Sequence, residues 1–396
     1  MMQISPEIQL FIREHSSDDV RVLALQAKKY PDIDMPTVIT QIAGRKVAAE
    51  KIPSWWEIEK IWYPKHLSLE QCSSEITARY KARLLQGDSL TDLTGGFGID
   101  CSFLATGFKS ATYVERQEEL CEIAAHNFPV LNLNHINIKN EDGVTYLQAM
   151  SPVDCLFLDP ARRNEHGGKT VAISDCEPNV AELEELLLQK ANRVMIKLSP
   201  MLDLSLALKE LKHTQEVHIL SVNNECKELL ILLGQTSPAE ISIHCVNLFT
   251  KGTQKEQHFV FTREQEQCSE CTYTDSLETY LYEPNASLLK AGAFRSIAAA
   301  YPVRKLHPNS HLYTSDTFIE NFPGRIFRIV NQCSFNKKEV KENLADLKKA
   351  NVTVRNFPAT VAELRKRIHL AEGGDTYLFA STLNNGQKVL IRCEKV

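Results

Sequence analysis

Apolar positions in the first 88 residues recur at the three- and four-residue spacing of amphipathic helices. Four stretches show this pattern: Ile8–Ile12, Val20–Leu25, Val38–Ile52 and Ser68–Leu85. In the last of them, Ser68 is a suitable N-cap and Gln71 completes a capping box, so we predict one continuous helix there. Residues 1–88 are therefore predicted to form a helical N-terminal region.

From residue 89 short apolar strands alternate with helical patterns. The strand-like runs are Leu90–Leu93, Ala111–Val114, Ile136–Ile138, Cys155–Leu158, Val194–Leu198 and Val217–Val222, and helical patterns include Gln117–Phe128 and Val180–Lys190. This alternation predicts a Rossmann-like, doubly wound α/β fold, in which helices cover both faces of a parallel sheet. Ile241–Leu248 and His258–Thr262 follow without a helix between them, which indicates an antiparallel hairpin at the sheet edge.

The pattern changes again after a polar stretch, 263–278, which we interpret as a linker or loop. A helical run ends near Ala300, and the last 72 or so residues alternate strand and helix without repeats. The predicted elements there are strand Arg325–Val330, helix Lys337–Lys349, strand Val352–Val354, helix Thr360–Ile368 and strands Thr376–Ala380 and Lys388–Arg392. We therefore predict a small α+β C-terminal domain.

Composition limits the class of protein. A chain of 396 residues exceeds one hydrophobic core, so two or three domains are expected. The net charge is −5, hence any nucleic-acid-binding surface must be local. The N-terminus is acidic where a signal peptide is apolar, and no apolar run approaches the ~18 residues that span a bilayer. We expect a cytoplasmic protein without a membrane segment.

The eleven cysteines are scattered, and a reducing cytosol would keep them as thiols. The single CxxC, Cys268 to Cys271, has no second CxxC or histidine pair at zinc-finger spacing. We therefore interpret it as part of a polar loop and predict no metal site.

A glycine-rich loop, Thr91–Asp100 (TDLTGGFGID), follows the first strand of the α/β region. Glycines allow a tight turn and a close approach of the backbone to a ligand, which alone is compatible with a nicotinamide or flavin cofactor or a plain turn. The spacing, however, is DxTGGxGxD and not the dinucleotide GxGxxG.

This loop resembles motif I of class I methyltransferases, most closely the form in small-subunit rRNA guanine-N2 methyltransferases. The resemblance implies that the loop holds the methionine part of S-adenosylmethionine. The implied cofactor-binding residues in the loop are Asp92, Thr94, Gly95, Gly96, Gly98 and Asp100. Thr94 stands where many members have their first glycine.

Two acids follow at the ends of the next strands. Glu115 lies about 20 residues after the loop, where a carboxylate can accept both ribose hydroxyls. Asp142 follows the third strand and is a candidate partner of the adenine amino group. Each alone could be a surface carboxylate, but doubly wound folds bind ligands at the carboxyl ends of their strands. The order of loop, Glu115 and Asp142 therefore predicts a cofactor site.

The fourth strand ends in Asp159-Pro160-Ala161-Arg162-Arg163, which resembles motif IV of nucleic-acid amino-methyltransferases. Exocyclic amines are poor nucleophiles, and an Asp carboxylate with an adjacent backbone carbonyl can accept their N–H groups and orient the lone pair. Asp159 and Pro160 are the candidates for this role. Arg162 replaces the usual aromatic residue, and it or Arg163 is a candidate for contacting base or phosphate, although a structural salt bridge is an alternative.

Carbon methylation is a less favoured alternative, because it needs a cysteine nucleophile. Ser199 stands after the fifth strand where that cysteine is required, and Cys176 lacks the Pro-Cys context. The polar segment Asn223–Glu228 after the sixth strand either lines the substrate cleft or ends the strand.

The region after Tyr280 resembles a bacterial methyltransferase-like family with a ferredoxin-like segment and a THUMP-like domain. THUMP-type domains elsewhere hold the acceptor end of transfer RNA. The basic residues that fit this role are Lys337, Lys338, Lys341, Lys348, Lys349, Arg355, Arg365, Lys366 and Arg367. Because Glu339, Glu342, Asp346 and Glu363 interleave with them, a solvated helix face is an equal alternative.

The predicted organisation is a helical region 1–88, an S-adenosylmethionine-dependent methyltransferase domain 89–279, a ferredoxin-like segment 280–325 and a THUMP-like domain 326–396. The predicted activity is nitrogen methylation of a base in structured RNA, either tRNA or rRNA. The alternatives are methylation of a small molecule or protein, and an RNA-binding module that retains the cofactor fold without turnover.

Overall fold

The computed structural model describes residues 5–162 and 172–396. The chain forms two compact units, Met1–Gln215 with Leu229–Pro238, and Glu216–Glu228 with Ala239–Val396. Within the described residues, none of the helices is long and apolar enough to cross a membrane.

The helices of the first unit are α1 (Pro6–Glu14), α2 (Val20–Leu25), α3 (Met35–Lys51), α4 (Pro53–Trp56), α5 (His66–Gln71), α6 (Glu75–Ala82), α7 (Ile99–Ala105), α8 (Glu118–Val130), α9 (Gly143–Ala149), α10 (Val180–Lys190) and α11 (Leu204–Glu210), with 3₁₀ turns at Ala27–Lys29 and Ile173–Asp175. The strands up to residue 234 are β1 (Ser89–Asp92), β2 (Ser110–Glu115), β3 (Ile136–Asn140), β4 (Val153–Leu158), β5 (Ala161–Arg162), β6 (Cys176–Glu177), β7 (Ala191–Leu198), β8 (Thr214–Val222) and β9 (Glu225–Gly234).

A central sheet organises the first unit. Its strands lie in the order β9-β7-β4-β1-β2-β3, and all neighbours are parallel except β9, which pairs antiparallel with β7. The predicted Rossmann-like α/β fold is thus confirmed. Because β1, β2 and β4 are adjacent and parallel, the loop after β1 and the acids after β2 and β4 lie at one edge of the sheet.

The helix predicted over 68–85 is wrong as a single element. The chain forms two helices, α5 and α6. Ser68 lies inside α5 and is therefore not an N-cap. Cys72, between the helices, is extended, and Ser73 is buried and donates a hydrogen bond to Asp100. A long-range hydrogen bond of a buried hydroxyl therefore overrides the local helical pattern.

The sequence pattern does not predict strand β9, because the polar segment Asn223–Glu228 precedes its apolar run. Asn223 and Asn224 both have left-handed backbone conformations, with φ of 49° and 68°. Two such residues make the tight turn of a β-hairpin, and asparagine is among the residues that tolerate it best. The segment therefore ends β8 and begins β9.

The helices of the second unit are α12 (Arg263–Cys268), α13 (Ala286–Ala291), α14 (Arg295–Ala300), α15 (Lys337–Leu344) and α16 (Val361–Ile368). Its further strands are β10 (Ser242–Leu248), β11 (Glu256–Thr262), β12 (Tyr280–Pro284), β13 (Arg304–Lys305), β14 (Tyr313–Ser315), β15 (Gly324–Ser334), β16 (Asn351–Val354), β17 (Thr376–Thr382) and β18 (Lys388–Lys395). Residues 263–278, interpreted as a linker or loop, contain α12, which Thr262 and Gln265 cap reciprocally.

Two strand groups occupy the second unit. Strand β10 pairs in parallel with β8 and antiparallel with β11, which confirms the predicted hairpin. The other group is a seven-stranded sheet in the order β13-β14-β12-β15-β18-β17-β16. Strand β12 pairs directly with β15, and the buried Glu283 forms ion pairs with Arg325 and Arg355. The ferredoxin-like and THUMP-like segments therefore share one sheet.

Candidate cofactor and catalytic site

The glycine loop joins β1 to α7, and its conformation requires glycine. Gly96 and Gly98 have φ of +54° and +84°, in the left-handed region that side chains disfavour. Gly95 has a different constraint, because a Cβ there would lie 2.2 Å from the ring of Tyr113. The same tyrosine donates its hydroxyl proton to the carbonyl oxygen of Gly96 at 2.5 Å. Tyr113 on β2 thus holds the glycine loop in position.

Glu115, at the end of β2, is buried and holds the loop directly. One carboxylate oxygen accepts a hydrogen bond from the Gly96 amide at 2.8 Å, and the other accepts from the Gln117 amide at 2.9 Å. The glycine loop and Glu115 therefore meet at the carboxyl end of β2.

Asp92 ends β1 and is 1% exposed. Its Oδ1 accepts a hydrogen bond from the Thr94 amide at 3.0 Å, whereas its Oδ2 is buried without a hydrogen-bond partner in the described part of the chain. Burial raises the pKa of this carboxyl well above its usual value, and the charges of Asp100, Asp159 and Glu115 raise it further. A buried acceptor without a donor is costly, so it points to a ligand that supplies one.

Asp142 is the N-cap of α9 and is exposed. Its Oδ1 accepts from the amides of Val144 and Thr145, both at 3.0 Å. The preceding residue, Glu141, donates its amide proton to the Glu115 carbonyl at 3.1 Å. Asp142 therefore lies at the same sheet edge as the loop and Glu115, and it also has a structural role.

Asp159 follows β4 and is fixed at two points. Its amide donates a 2.6 Å hydrogen bond to the Thr94 hydroxyl, and its carboxylate forms a 2.5 Å ion pair with Lys197. The Thr94 side chain, which departs from the usual glycine, thus connects the glycine loop to the candidate catalytic strand. Pro160 is buried directly after Asp159.

The two arginines of the predicted catalytic loop are less informative. The backbone of Arg162 pairs with that of Cys176 across β5 and β6. Arg163 lies outside the described residues.

A buried charge network that the sequence analysis missed lies behind Asp159. Lys197 on β7 contacts Asp159, Asp100 at 3.3 Å and the Ser73 hydroxyl at 3.1 Å. Lys81 on α6 is fully buried, and its Nζ lies 2.9 Å from Asp100 and 2.8 Å from Ser73. Helix α6, which precedes β1, therefore contributes to this site.

The network separates the acidities of its two aspartates. Burial alone would raise the pKa of Asp100, but Lys81 and Lys197 lower it to about 2. For Asp159, desolvation by the surrounding protein outweighs the favourable charge of Lys197, so its pKa lies above the usual value. The Asp159 side chain nevertheless retains 38% exposure. Within the described residues it is the most exposed member of the network, since the side chains of Asp100 and Lys197 are each 10% exposed.

The sequence contained a recognisable indication of both lysines. Lys197 interrupts an otherwise apolar buried strand, and Lys81 lies on the inward side of a short helix. Buried lysines are rare unless paired, so such positions suggest a carboxylate partner. The sequence alone does not identify that partner.

Other candidates have structural positions. Ser199 accepts a hydrogen bond from the Met201 amide, and Cys176 is buried on β6. The backbone amide of Asn224 donates a 2.8 Å hydrogen bond to the side-chain Oδ1 of Asn247, and its own side-chain Oδ1 accepts a hydrogen bond from the Ala286 amide. The segment containing Asn224 therefore stabilises the second unit.

A cavity of about 540 Å³ lies in the N-terminal helical region. Its lining includes the side chains of Arg13, Arg45, Lys46, Lys60, Glu59 and Trp56. Trp56 is 42% exposed, and the guanidinium of Arg45 lies 5.8 Å from the centre of its ring. Arg13 is paired with Glu59 at 3.0 Å, and Arg45, Lys46 and Lys60 place further cations beside the accessible aromatic ring, an arrangement that suits an anionic ligand with a planar group.

The basic residues of the tail divide into two groups. Arg355 is paired with Glu283, and Arg365 with Glu372. The exposed members are Lys337, Lys338, Lys341, Lys348, Lys349, Lys366 and Arg367. Among the interleaved acids, Glu339 and Glu363 accept hydrogen bonds at helix N-termini. These two acids therefore have local structural roles.

Comparisons with known proteins follow this division of the chain. A family model of a ferredoxin-like domain matches residues 280–323, and one described as THUMP domain-like matches 324–395. The crystal structure of a candidate methyltransferase from Porphyromonas gingivalis W83 is 35% identical and has a TM-score of 0.88, with 100% of both chains covered. No protein of curated function matches the sequence.

More distant structures match only part of the chain. An rRNA methylase from Streptococcus thermophilus is 15% identical over 40% of this chain and 93% of its own, with a TM-score of 0.30. A candidate methyltransferase from Streptococcus mutans, in complex with S-adenosylhomocysteine (SAH), is 12% identical over 40% of this chain and 96% of its own, also at 0.30. Such scores support no argument about activity. The full-length match at 35% identity does establish the family, and the chain belongs to the bacterial family of class I methyltransferase-fold proteins with a C-terminal ferredoxin-like segment and THUMP-like domain.

Proposed function

We propose that this protein is an S-adenosylmethionine-dependent methyltransferase that methylates an amino nitrogen of a base in structured RNA. The observation that carries the proposal is the position of Asp159. It follows β4, is tied to the glycine loop through Thr94, and presents a partly exposed carboxylate held by Lys197. A carboxylate in this place can accept the N–H groups of an amine and direct its lone pair.

The loop residues fit the proposed cofactor. The unpartnered Oδ2 of Asp92 suits an ammonium donor, such as that of a methionine moiety. Within residues 5–162 and 172–396, a Cβ on Gly96 would approach only the Thr94 carbonyl oxygen, at 3.8 Å, so these residues leave room for a ligand at Gly96. Asp92, Gly96, Glu115 and the exposed Asp142 would hold the cofactor, which supplies an electrophilic methyl group when bound.

The chain's own groups perform the remaining tasks. Asp159 orients the amine and stabilises the positive charge that develops on its nitrogen. Lys197 favours the ionised form of Asp159, because a neighbouring cation stabilises a carboxylate. Asp100, with its pKa of about 2, stays charged and holds Lys197 in position. We therefore regard Lys197 as a positioning residue.

Two basic features favour RNA over a small acceptor. The cavity beside Trp56 combines cations with an aromatic ring on which a base can stack. The exposed lysines around α15 and α16 suit phosphates. Binding through such contacts is salt-dependent and largely blind to sequence.

The test is transfer of radiolabelled methyl groups from S-adenosylmethionine to RNA purified from a strain that lacks the gene. We expect transfer by the wild-type protein and loss of it in Asp159→Asn. Asp88→Asn is the matched control, since Asp88 is an exposed acid that forms an ion pair with the exposed Lys109. Label in protein or small molecules with none in RNA would refute the RNA substrate, and full activity of Asp159→Asn would refute the role of Asp159.

A further inference from the structure

Three histidines and a glutamate form a cluster on β8, β10 and β11. None of the four belongs to the predicted cofactor or catalytic motifs. His218 and His244 face each other directly in the parallel pairing of β8 and β10. Glu216 lies two residues before His218, and His258 on β11 pairs with the position two residues after His244. Because side chains two residues apart on a strand point the same way, all four lie on one face of these strands.

The donor atoms of these side chains are close together. One donor atom each from Glu216, His218 and His244 lie within 4.8 Å of one another. The Nε2 of His218 is 3.2 Å from a carboxylate oxygen of Glu216, and the Nδ1 of His244 is 3.1 Å from the Nε2 of His258. Two ligands bonded to one tetrahedral zinc ion at ~2.0–2.1 Å lie about 3.4 Å apart. The separations of 3.2 Å and 3.1 Å are therefore close to the spacing of two ligands on one zinc ion.

The cluster also has a route for an ion. His218 is 2% exposed, His244 is half-buried and His258 is exposed, so the donors extend from the interior to the surface. The rings are stacked, with 4.3 Å between the centroids of His218 and His244 and 5.3 Å between those of His244 and His258. The carboxylate of Glu216 adds an oxygen donor beside the stacked rings, 3.2 Å from the Nε2 of His218.

We propose that Glu216, His218 and His244, with His258 as the fourth donor, bind a divalent transition metal ion, with zinc the best fit. Imidazole and carboxylate donors suit Zn²⁺, and Ca²⁺ and Mg²⁺ prefer oxygen donors alone. Four protein ligands leave no open position, which is typical of a structural ion. The ion would join β8, β10 and β11, so it stabilises the fold of the second unit and takes no part in methyl transfer.

The sequence pattern does not predict this site, because its donors do not all lie at short spacing along the chain. Here the donors are separated by up to 42 positions and meet only through strand pairing. A test of the proposal must also show that Cys268 and Cys271 are not the ligands of a bound ion.

The experiment is calorimetric titration of Zn²⁺ into full-length protein stripped of metal with a chelator. We expect one ion per chain, and a Kd weakened by at least about tenfold in His244→Gln and His258→Gln, since even outer-shell changes have that effect. His258 is exposed, so its variant tests the proposal without disturbing the core. His126→Gln and Cys268→Ser are the controls that should leave the affinity unchanged.

Co²⁺ substitution gives an independent readout. We expect the visible bands of a tetrahedral site without the near-ultraviolet absorption of cobalt–thiolate bonds, and a rise in Tm on binding. The proposal is overturned if no ion binds, if His244→Gln and His258→Gln bind as tightly as wild type, or if thiolate absorption is present and Cys268→Ser removes it.

Discussion

Replacing Lys197 by Met separates the stabilising and catalytic roles of the buried charge network. Methionine keeps the length and apolar stem of lysine but carries no charge. The change removes the cation between Asp100 and Asp159 and leaves Asp100 with Lys81, 2.9 Å away. We expect loss of stability and a shift in the pH dependence of transfer.

The magnitude follows from the acidity of Asp100. Its pKa of about 2 compares with an ordinary value of 3.8. At about 1.4 kcal/mol per pKa unit, the net shift, in which the lysines and hydrogen bonds outweigh the opposing effect of burial, corresponds to roughly 2–3 kcal/mol at neutral pH. Lys81 has the largest lowering effect and Lys197 the next largest, so we expect the loss of Lys197 to cost about 1 kcal/mol. We add nothing for Asp159, whose exposure lets solvent screen the pair.

The sign of the pH dependence is fixed by the direction of the shift. A carboxyl with a lowered folded-state pKa stabilises the protein above its unfolded pKa, and this contribution is lost as the pH falls through the folded value. Urea unfolding should therefore show a wild-type advantage of about 1 kcal/mol at pH 7 that shrinks below about pH 4. Lys139→Met, at an exposed position on β3 of the same sheet, is the control.

Methyl transfer provides the second readout. Without Lys197 the pKa of Asp159, already above its usual value, rises further, so the acid limb of the pH–rate profile should move to higher pH. A purely structural lysine would lower stability and leave that limb in place. An unchanged limb, or a stability loss that is the same at pH 7 and at about pH 3, would refute the reasoning.

Three further results are expected. Asp92→Asn should raise the free energy of unfolding at pH 7, because it removes a buried carboxyl whose raised pKa costs stability above its unfolded pKa. The same change should weaken cofactor binding, and calorimetry with unchanged affinity would contradict this. Gly95→Ala should destabilise the loop through a clash with Tyr113, to be measured as a lower Tm, whereas an unchanged Tm would show that the ring moves freely. Lys338→Glu with Lys341→Glu should weaken RNA binding and reduce the slope of log affinity against log salt by about two, and an unchanged slope would exclude contact with phosphate.

The parallel sheet, the glycine loop and Glu115 could be predicted from the sequence because each depends on local pattern. Strand periodicity places the loop after β1 and Glu115 at the end of β2, and parallel pairing brings their ends together. The edge hairpin of β10 and β11 followed from the missing helix between them. In these cases the tertiary structure agrees with the local preference.

The missed features depend on partners far away in the chain. Ser73 breaks a helix because its hydroxyl reaches Asp100, 27 positions later, and Lys197 meets the same carboxylate from 97 positions away. The histidine cluster is created only by strand register. No periodicity encodes such contacts, although a charged residue inside an apolar strand indicates that a partner exists.

Deletion of the tail is not a clean test of RNA binding. Strand β12 pairs with β15, so removal of 326–396 takes away the partner of β12 and exposes its core face. Surface charge substitutions avoid this problem because they leave the pairing of β12 with β15 in place.

Titration calorimetry with S-adenosylmethionine tests the central claim most directly, namely that the loop from Asp92 to Gly98 and Glu115 form a nucleoside-binding site. We predict one molecule bound per chain, competition by S-adenosylhomocysteine, and loss of binding in a Glu115→Ala variant whose folding is verified by circular dichroism. Absence of binding by the wild-type protein, or equal binding by wild type and Glu115→Ala, would contradict the account.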